Sequence, residues 1–157
     1  MELVALYVDL DGVLADFDQG IIDLLGRPPH KVKPGLLWGM IAKSGDFYET
    51  LPMMSDAMEL WAWCVERDPT ILTGIPRGKW AEPQKRSWVA EKLGEDVEVI
   101  CCASKDKYKW SGEGHILIDD REKTKASWEE AGGTFILHTS AADTLAQLAE
   151  LGVADLA

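Results

Sequence analysis

Five short runs, at residues 3–8, 70–73, 97–102, 115–118 and 134–138, are apolar through most of their length. Continuous rather than alternating hydrophobicity is the pattern of a strand buried on both faces. Between the runs, apolar residues recur at helical spacing. Phe17, Ile21, Ile22, Leu24 and Leu25 mark a helix that Gly26-Arg27-Pro28-Pro29 stops. Residues 34–51 are irregular and aromatic-rich, and predict short helices broken at Gly45. Ser55 is the expected N-cap of a helix through Met58, Leu60, Trp61, Cys64 and Val65, which Asp68-Pro69 closes. Pro83 suits the start of a helix carrying Trp88, Val89 and Leu93, with Gly94 as its stop. A polar loop holding Lys105, Lys107 and Lys109 comes after residue 102. Ala126, Trp128 and Ala131 predict a helix ended by Gly132-Gly133, and residues 145–151 a closing one. Strands alternating with helices predict a three-layer α/β architecture, a parallel sheet with helices on both faces. Residues 16–52 carry helices but no strand. They read as a small helical insertion, leaving 1–15 and 53–157 as the α/β core.

Composition narrows the function. The chain has 157 residues, enough for one domain, with 27 Asp and Glu against 16 Lys and Arg, a net charge of −11. That balance excludes a binder of long nucleic acid, which needs a basic surplus to displace counterions, and a polybasic membrane-surface protein. No apolar stretch reaches the roughly 20 residues of a membrane span, and Met1-Glu2-Leu3-Val4 lacks the basic start of a secretory signal. Cys64, Cys101 and Cys102 form no disulfide framework, and the adjacent pair reads as small hydrophobes on a strand. A reducing cytoplasm is the expected compartment. His30, His115 and His138 show no metal-ligand spacing. Seven tryptophans are many for this length; Trp61, Trp63, Trp88 and Trp128 fall on predicted helices as packing residues, whereas Trp80 and Trp110 fall in loops near the strand ends.

Ligands of an open parallel sheet bind beyond the carboxyl ends of its strands. There the chain places Asp9 and Asp11 after the first strand, Thr73 after the second, and Asp119 and Asp120 after the fourth. Lys85 stands near the start of the helix that comes after Thr73. Taken singly, these residues have ordinary uses: Asp as a turn former or N-cap, Thr as a strand residue, Lys as a solvated helix charge. Together, clustered carboxylates repel unless a cation compensates, and Mg2+ does so with a few carboxylate oxygens plus phosphate and water. Lys85 and the Thr73 hydroxyl supply donors for a phosphate. The pattern points to Mg2+-assisted chemistry on a phosphate.

Val8-Asp9-Leu10-Asp11-Gly12-Val13-Leu14 resembles the first motif of the haloacid dehalogenase-like superfamily in its phosphatase form. Ile71-Leu72-Thr73-Gly74 is similar to the second motif, Lys85 to the third, and Ile116-Leu117-Ile118-Asp119-Asp120-Arg121 to the fourth. The stretch from Asp9 to Phe17, Phe47-Tyr48 with Leu51-Pro52, and Pro83-Gln84-Lys85 before Trp88-Val89 resemble the 5'(3')-deoxyribonucleotidase branch. The resemblance implies a Rossmann-like core with residues 16–52 as a cap over the site. It also implies a two-step phosphoryl transfer with Asp9 as nucleophile and Asp11 as general acid and base. Mg2+ would be held by Asp9, the Asp11 backbone carbonyl and Asp119, with Asp120 behind them. Thr73, the Gly74 amide and Lys85 would hold the phosphate.

The expected substrate is a small phosphomonoester, foremost a nucleoside monophosphate, with Phe17, Trp38, Phe47 and Tyr48 as a stacking pocket and Lys105 as a point charge beside it. Two departures weaken the nucleoside assignment more than the phosphatase one. The loop Gly74-Ile75-Pro76-Arg77 lacks a small hydroxyl residue beside Thr73, and Ser104-Lys105-Asp106-Lys107 has lysine where that branch places arginine. A sugar phosphate is the alternative substrate. A non-catalytic phosphate-binding module is the alternative of another class, opposed by the pairing of a nucleophile with a general acid.

Overall fold

A computed structural model describes residues 1–153; residues 154–157, the end of the expected core segment, lie outside the described residues. Strand β1 (Ala5–Val8) leads into helices α1 (Phe17–Leu25), α2 (Pro34–Ser44) and α3 (Ala57–Cys64). Strand β2 (Thr70–Gly74), helix α4 (Ala81–Lys92), strand β3 (Glu98–Cys102) and strand β4 (His115–Asp119) come next. Helix α5 (Lys125–Glu130), strand β5 (Thr134–Leu137) and helix α6 (Ala141–Glu150) complete the order. The strands form one five-stranded sheet in the order β3-β2-β1-β4-β5, and every pairing is parallel. The chain winds from β1 outward to β3, then crosses to the other side of β1 for β4. That reversal puts a switch point between β1 and β4, where an open sheet forms its ligand crevice.

Side chains alternate across the sheet with the period of two that a strand imposes. Leu6, Val8, Ile71, Ile116, Ile118 and Ile136 share one cluster with Ile21, Leu60, Trp61, Trp88 and Leu148 from the helices. Leu72, Leu117 and Phe135 share the other with Trp128, and Tyr7, Ile100 and Trp110 pack against it. Both faces are therefore covered, as the pattern predicts, though unequally. Residues 16–52 contribute Ile21, Leu37, Ile41, Phe47, Tyr48 and Leu51 to the larger cluster rather than to a core of their own.

Helix α1 keeps the expected limits because its ends are capped locally. Asp16 accepts from the Gln19 amide at 3.1 Å, and Gly26 takes the left-handed conformation that ends the last turn. Elsewhere tertiary partners move the boundaries. One helix precedes Gly45, and after it comes a turn in which the Thr50 amide donates to Asp46 O. Ser55 caps nothing; Asp56 precedes α3 without capping it, and its carboxylate accepts instead from the Ala141 amide of α6 at 2.7 Å. Helix α6 begins four residues before the expected 145, with Ser140 Oγ accepting from the Asp143 amide. The lysine-rich segment expected as a loop is a 3-10 helix, Ser104–Trp110.

Candidate active site

The sheet order brings the carboxyl ends of β2, β1 and β4 side by side, and with them the acids and hydroxyls at each strand end. The Asp9 amide donates to Ile118 O at 2.9 Å, so Asp9 extends the ladder and stands beside Asp119. Both acids are buried. Between them lies Lys107, 2% exposed, whose ammonium donates to Asp9 Oδ1 and Asp119 Oδ2 at 3.0 Å each. The Arg121 amide gives Asp119 Oδ1 a further hydrogen bond at 3.0 Å. One oxygen from each of Asp9, Asp119 and Asp120 lies within 4.8 Å of the others. Asp120 owes its place to Gly12: a Cβ on residue 12, whose φ is +84°, would overlap the Asp120 carboxylate.

The electrostatics of this cluster are unequal. Burial works against the charge on Asp9, but Lys107 and, more distantly, Lys85 outweigh it and hold its carboxyl below the ordinary range. Burial and then the Asp9 charge push Asp119 up to about 6. Burial, Asp9 and Asp119 push Asp120 up to about 8. Lys107 is raised despite its burial by the two carboxylates that face it. Three acids opposed by one ammonium leave a negative excess that a hard divalent cation fits, since carboxylate oxygens are its preferred ligands.

A second cation organises Asp11. Lys85 is fully buried, and its ammonium donates to Asp11 Oδ2 at 2.7 Å, Thr73 Oγ1 at 2.9 Å and Gly74 O at 2.8 Å. Its three hydrogens are thus all used. The Tyr48 ring covers it, with the ammonium 4.5 Å from the ring centroid. Asp11 Oδ1 is buried with no hydrogen-bond partner among the described residues. Burial raises the Asp11 pKa in spite of Lys85.

A cavity of about 930 Å³ opens over these groups. Asp9, Asp11, Gly12, Gly74, Lys107 and Asp120 form its floor, and Phe17, Trp38, Tyr48 and Trp80 supply aromatic wall. Tyr48 and Trp80 stack with centroids 5.7 Å apart. The structure departs from expectation at four residues here. Phe47 is buried behind the wall, edge-on to Phe17 and Tyr48, because it fills the core under α1. Lys105 is exposed and away from the cavity, since the 3-10 turn carries Lys107 inward in its stead. Thr73 and Lys85 lie beneath the floor, not on it. Sequence reasoning missed Lys107, Trp80 and Ser104 as cavity residues. The signals pointing to them are the position of Trp80 in a loop near the strand ends and the comparison of Ser104-Lys105-Asp106-Lys107 with the nucleotidase branch, which singled out Lys105 instead. Trp110, in the corresponding position after β3, belongs to the smaller core.

No protein-family model matches the chain, and no curated protein does. Solved structures match it over nearly its whole length at low identity. A hydrolase from Streptococcus pneumoniae TIGR4 is 13% identical with a TM-score of 0.55, the match covering 96% of this chain and 100% of that one. The L-2-haloacid dehalogenase from Xanthobacter autotrophicus, with chloropropionic acid covalently bound, is 11% identical with a TM-score of 0.56, over 98% and 85% of the two chains. A HAD family hydrolase from Deinococcus radiodurans R1, with bound phosphate and sodium, is 17% identical with a TM-score of 0.51, over 97% and 89%. A parallel five-stranded sheet with its acids gathered at the switch point and these whole-chain matches give one conclusion about architecture: the chain has the haloacid dehalogenase-like fold.

Proposed function

We propose that the chain is a Mg2+-dependent phosphomonoester hydrolase that works through an aspartyl-phosphate on Asp9, with a nucleoside monophosphate as substrate. The observation that carries the reading is the pairing of Asp9 with Lys107 beside Asp11, at the floor of a cavity large enough for a nucleotide. Asp9, held ionised by Lys107, attacks phosphorus, and the bond to the leaving oxygen breaks. Asp11, whose pKa is raised, gives its proton to that oxygen and then takes one from the water that cleaves the aspartyl-phosphate. Lys107 offsets the repulsion between a carboxylate nucleophile and an anionic substrate. Lys85 keeps Asp11 and Thr73 in place and leaves the phosphate to Lys107 and the Gly74 region. Mg2+, held by Asp9, the Asp11 backbone carbonyl and Asp119 with Asp120 alongside, would neutralise charge on the phosphoryl oxygens. The Deinococcus relative's bound phosphate and the dehalogenase's covalent adduct support both halves of this chemistry by analogy of fold.

Residues 16–52 act as the cap. They bring Phe17, Trp38 and Tyr48 over the floor, where flat rings suit a nucleobase. Hydrolysis of an aryl phosphate with Mg2+, and none with chelator, is the expected result. A protein that binds phosphate but releases none is a binding module, and the hydrolase reading then fails. A panel of nucleoside monophosphates and sugar phosphates tests the substrate: flat, slow rates on nucleotides with one fast sugar phosphate would replace it.

A further inference from the structure

Gly74 ends β2 at the cavity floor, and its backbone is outside the left-handed region, so φ does not demand glycine there. Space does. A Cβ on residue 74 would overlap the hydroxyl oxygen of Ser104, which reaches across from just beyond β3. Ser104 lines the cavity with Gly74, Asp9, Lys107 and Arg121. The hydroxyl that β2 itself offers is committed elsewhere: Thr73 is fully buried and accepts from Lys85. Ser104 accepts from Arg121 Nη1 at 3.4 Å, and its own proton has no acceptor among the described residues. A hydroxyl carries one donor and two acceptor sites. Ser104 therefore keeps its donor unspent, in a cavity where Lys107 is the nearest cation to the nucleophile. It is also the only aliphatic hydroxyl on that wall among the described residues.

We propose that Ser104 is a phosphate-contacting residue, donating to a phosphoryl oxygen beside Lys107, and that Gly74 is kept bare to admit it. The assignment rests on the phosphatase reading and adds to it the residue that reads the phosphate from the β3 side. Positions 74 and 104 then share one hydroxyl's space, and either can supply the group if the other yields.

The test is calorimetric titration of inorganic phosphate into the Mg2+-loaded protein, with thermal melts to confirm folding. Ser104→Ala should bind phosphate about tenfold more weakly or worse, the worth of a hydrogen bond to a charged acceptor, and raise KM for an aryl phosphate more than it lowers kcat. Gly74→Ser should bind worse still, because two side chains compete for one space. Gly74→Ser combined with Ser104→Gly should recover most of the lost affinity. Wild-type affinity in Ser104→Ala overturns the role of Ser104 and leaves the phosphatase reading standing, and a double variant that regains stability without affinity overturns the exchange of the hydroxyl between positions 74 and 104. A wild-type protein that binds no phosphate overturns the phosphatase reading and this one with it.

Discussion

Asp120 lies where residue 12 would carry a side chain, and that contact ties the turn after β1 to the end of β4. Alanine at position 12 meets both a φ of +84° and the carboxylate, so Asp120 must move. The backbone part alone costs about 1 kcal/mol. Gly12→Ala should stay folded yet lose on the order of tenfold or more in Mg2+ affinity, as removal of a metal site's supporting groups does; a Mg2+ titration of the variant checks this. Among single residues, Asp9, Asp11, Asp119 and Asp120 were legible because each stands at or just after a buried apolar run, and the parallel sheet dictates where such residues meet. Lys107 was not. It sits between Lys105 and Lys109 in a polar segment, and alternation of that kind reads as a solvated stretch. Only the 3-10 turn sends one of the three lysines inward to buried carboxylates and leaves the other two exposed.

Helix α4 serves two neighbours at once. Lys85 points to Asp11 and Thr73, while the adjacent turn grips residues 45–51: Gln84 Oε1 accepts from the Tyr48 amide at 2.9 Å, and Gln84 Nε2 donates to Gly45 O at 3.2 Å. Trp88 Nε1 donates to Leu51 O at 2.8 Å, and Ser87 Oγ to Glu49 Oε1 at 2.7 Å. The segment that carries Tyr48 over Lys85 is thereby fixed to the helix that carries Lys85. Gln84→Ala leaves the Tyr48 amide and Gly45 carbonyl without these partners. It should cost about 1–3 kcal/mol of stability, speed amide exchange across residues 45–50, and raise KM more than it lowers kcat. Unchanged exchange in that segment would show that the apolar contacts alone hold it. At the scale of elements, apolar runs and Gly or Pro stops located all five strands, because burial on both faces leaves a strong local signal. The expected Ser55 cap and the expected helix start at residue 145 missed, because Asp56 is engaged by the Ala141 amide far along the chain and Ser140 caps α6 from within a polar stretch.

Across the whole molecule the net charge of −11 and an anionic substrate are compatible, since net charge sets the far field and the site sets the local one. Lys85 and Lys107 are buried at the site within a chain of acidic excess, so under the proposed function a single phosphate would enter where a long polyanion would not. No helix among the described residues is long and apolar enough to cross a membrane. Stability should also carry a pH signature from His138, buried with Nδ1 2.7 Å from Thr144 Oγ1. Burial lowers its pKa, against the opposing pull of Asp56, Asp143 and Asp9. The unfolded chain then binds the proton first as pH falls, so His138 lowers stability progressively below its ordinary value of 6.5 and not above it. Between about pH 7.5 and about pH 5.5, a range that spans that titration, the wild type should lose more thermal stability than His138→Gln. Equal losses would remove His138 from the acid response.

The whole mechanism depends on phosphorylation of Asp9. Acid-quenching the protein in the first turnovers of a radiolabelled phosphomonoester with Mg2+, with peptide mapping afterwards, addresses it directly. Label is expected on the peptide carrying Asp9 in the wild type, none with chelator, and none in Asp9→Asn, which stays folded but inactive. Turnover by Asp9→Asn, or label on any other residue, would contradict it.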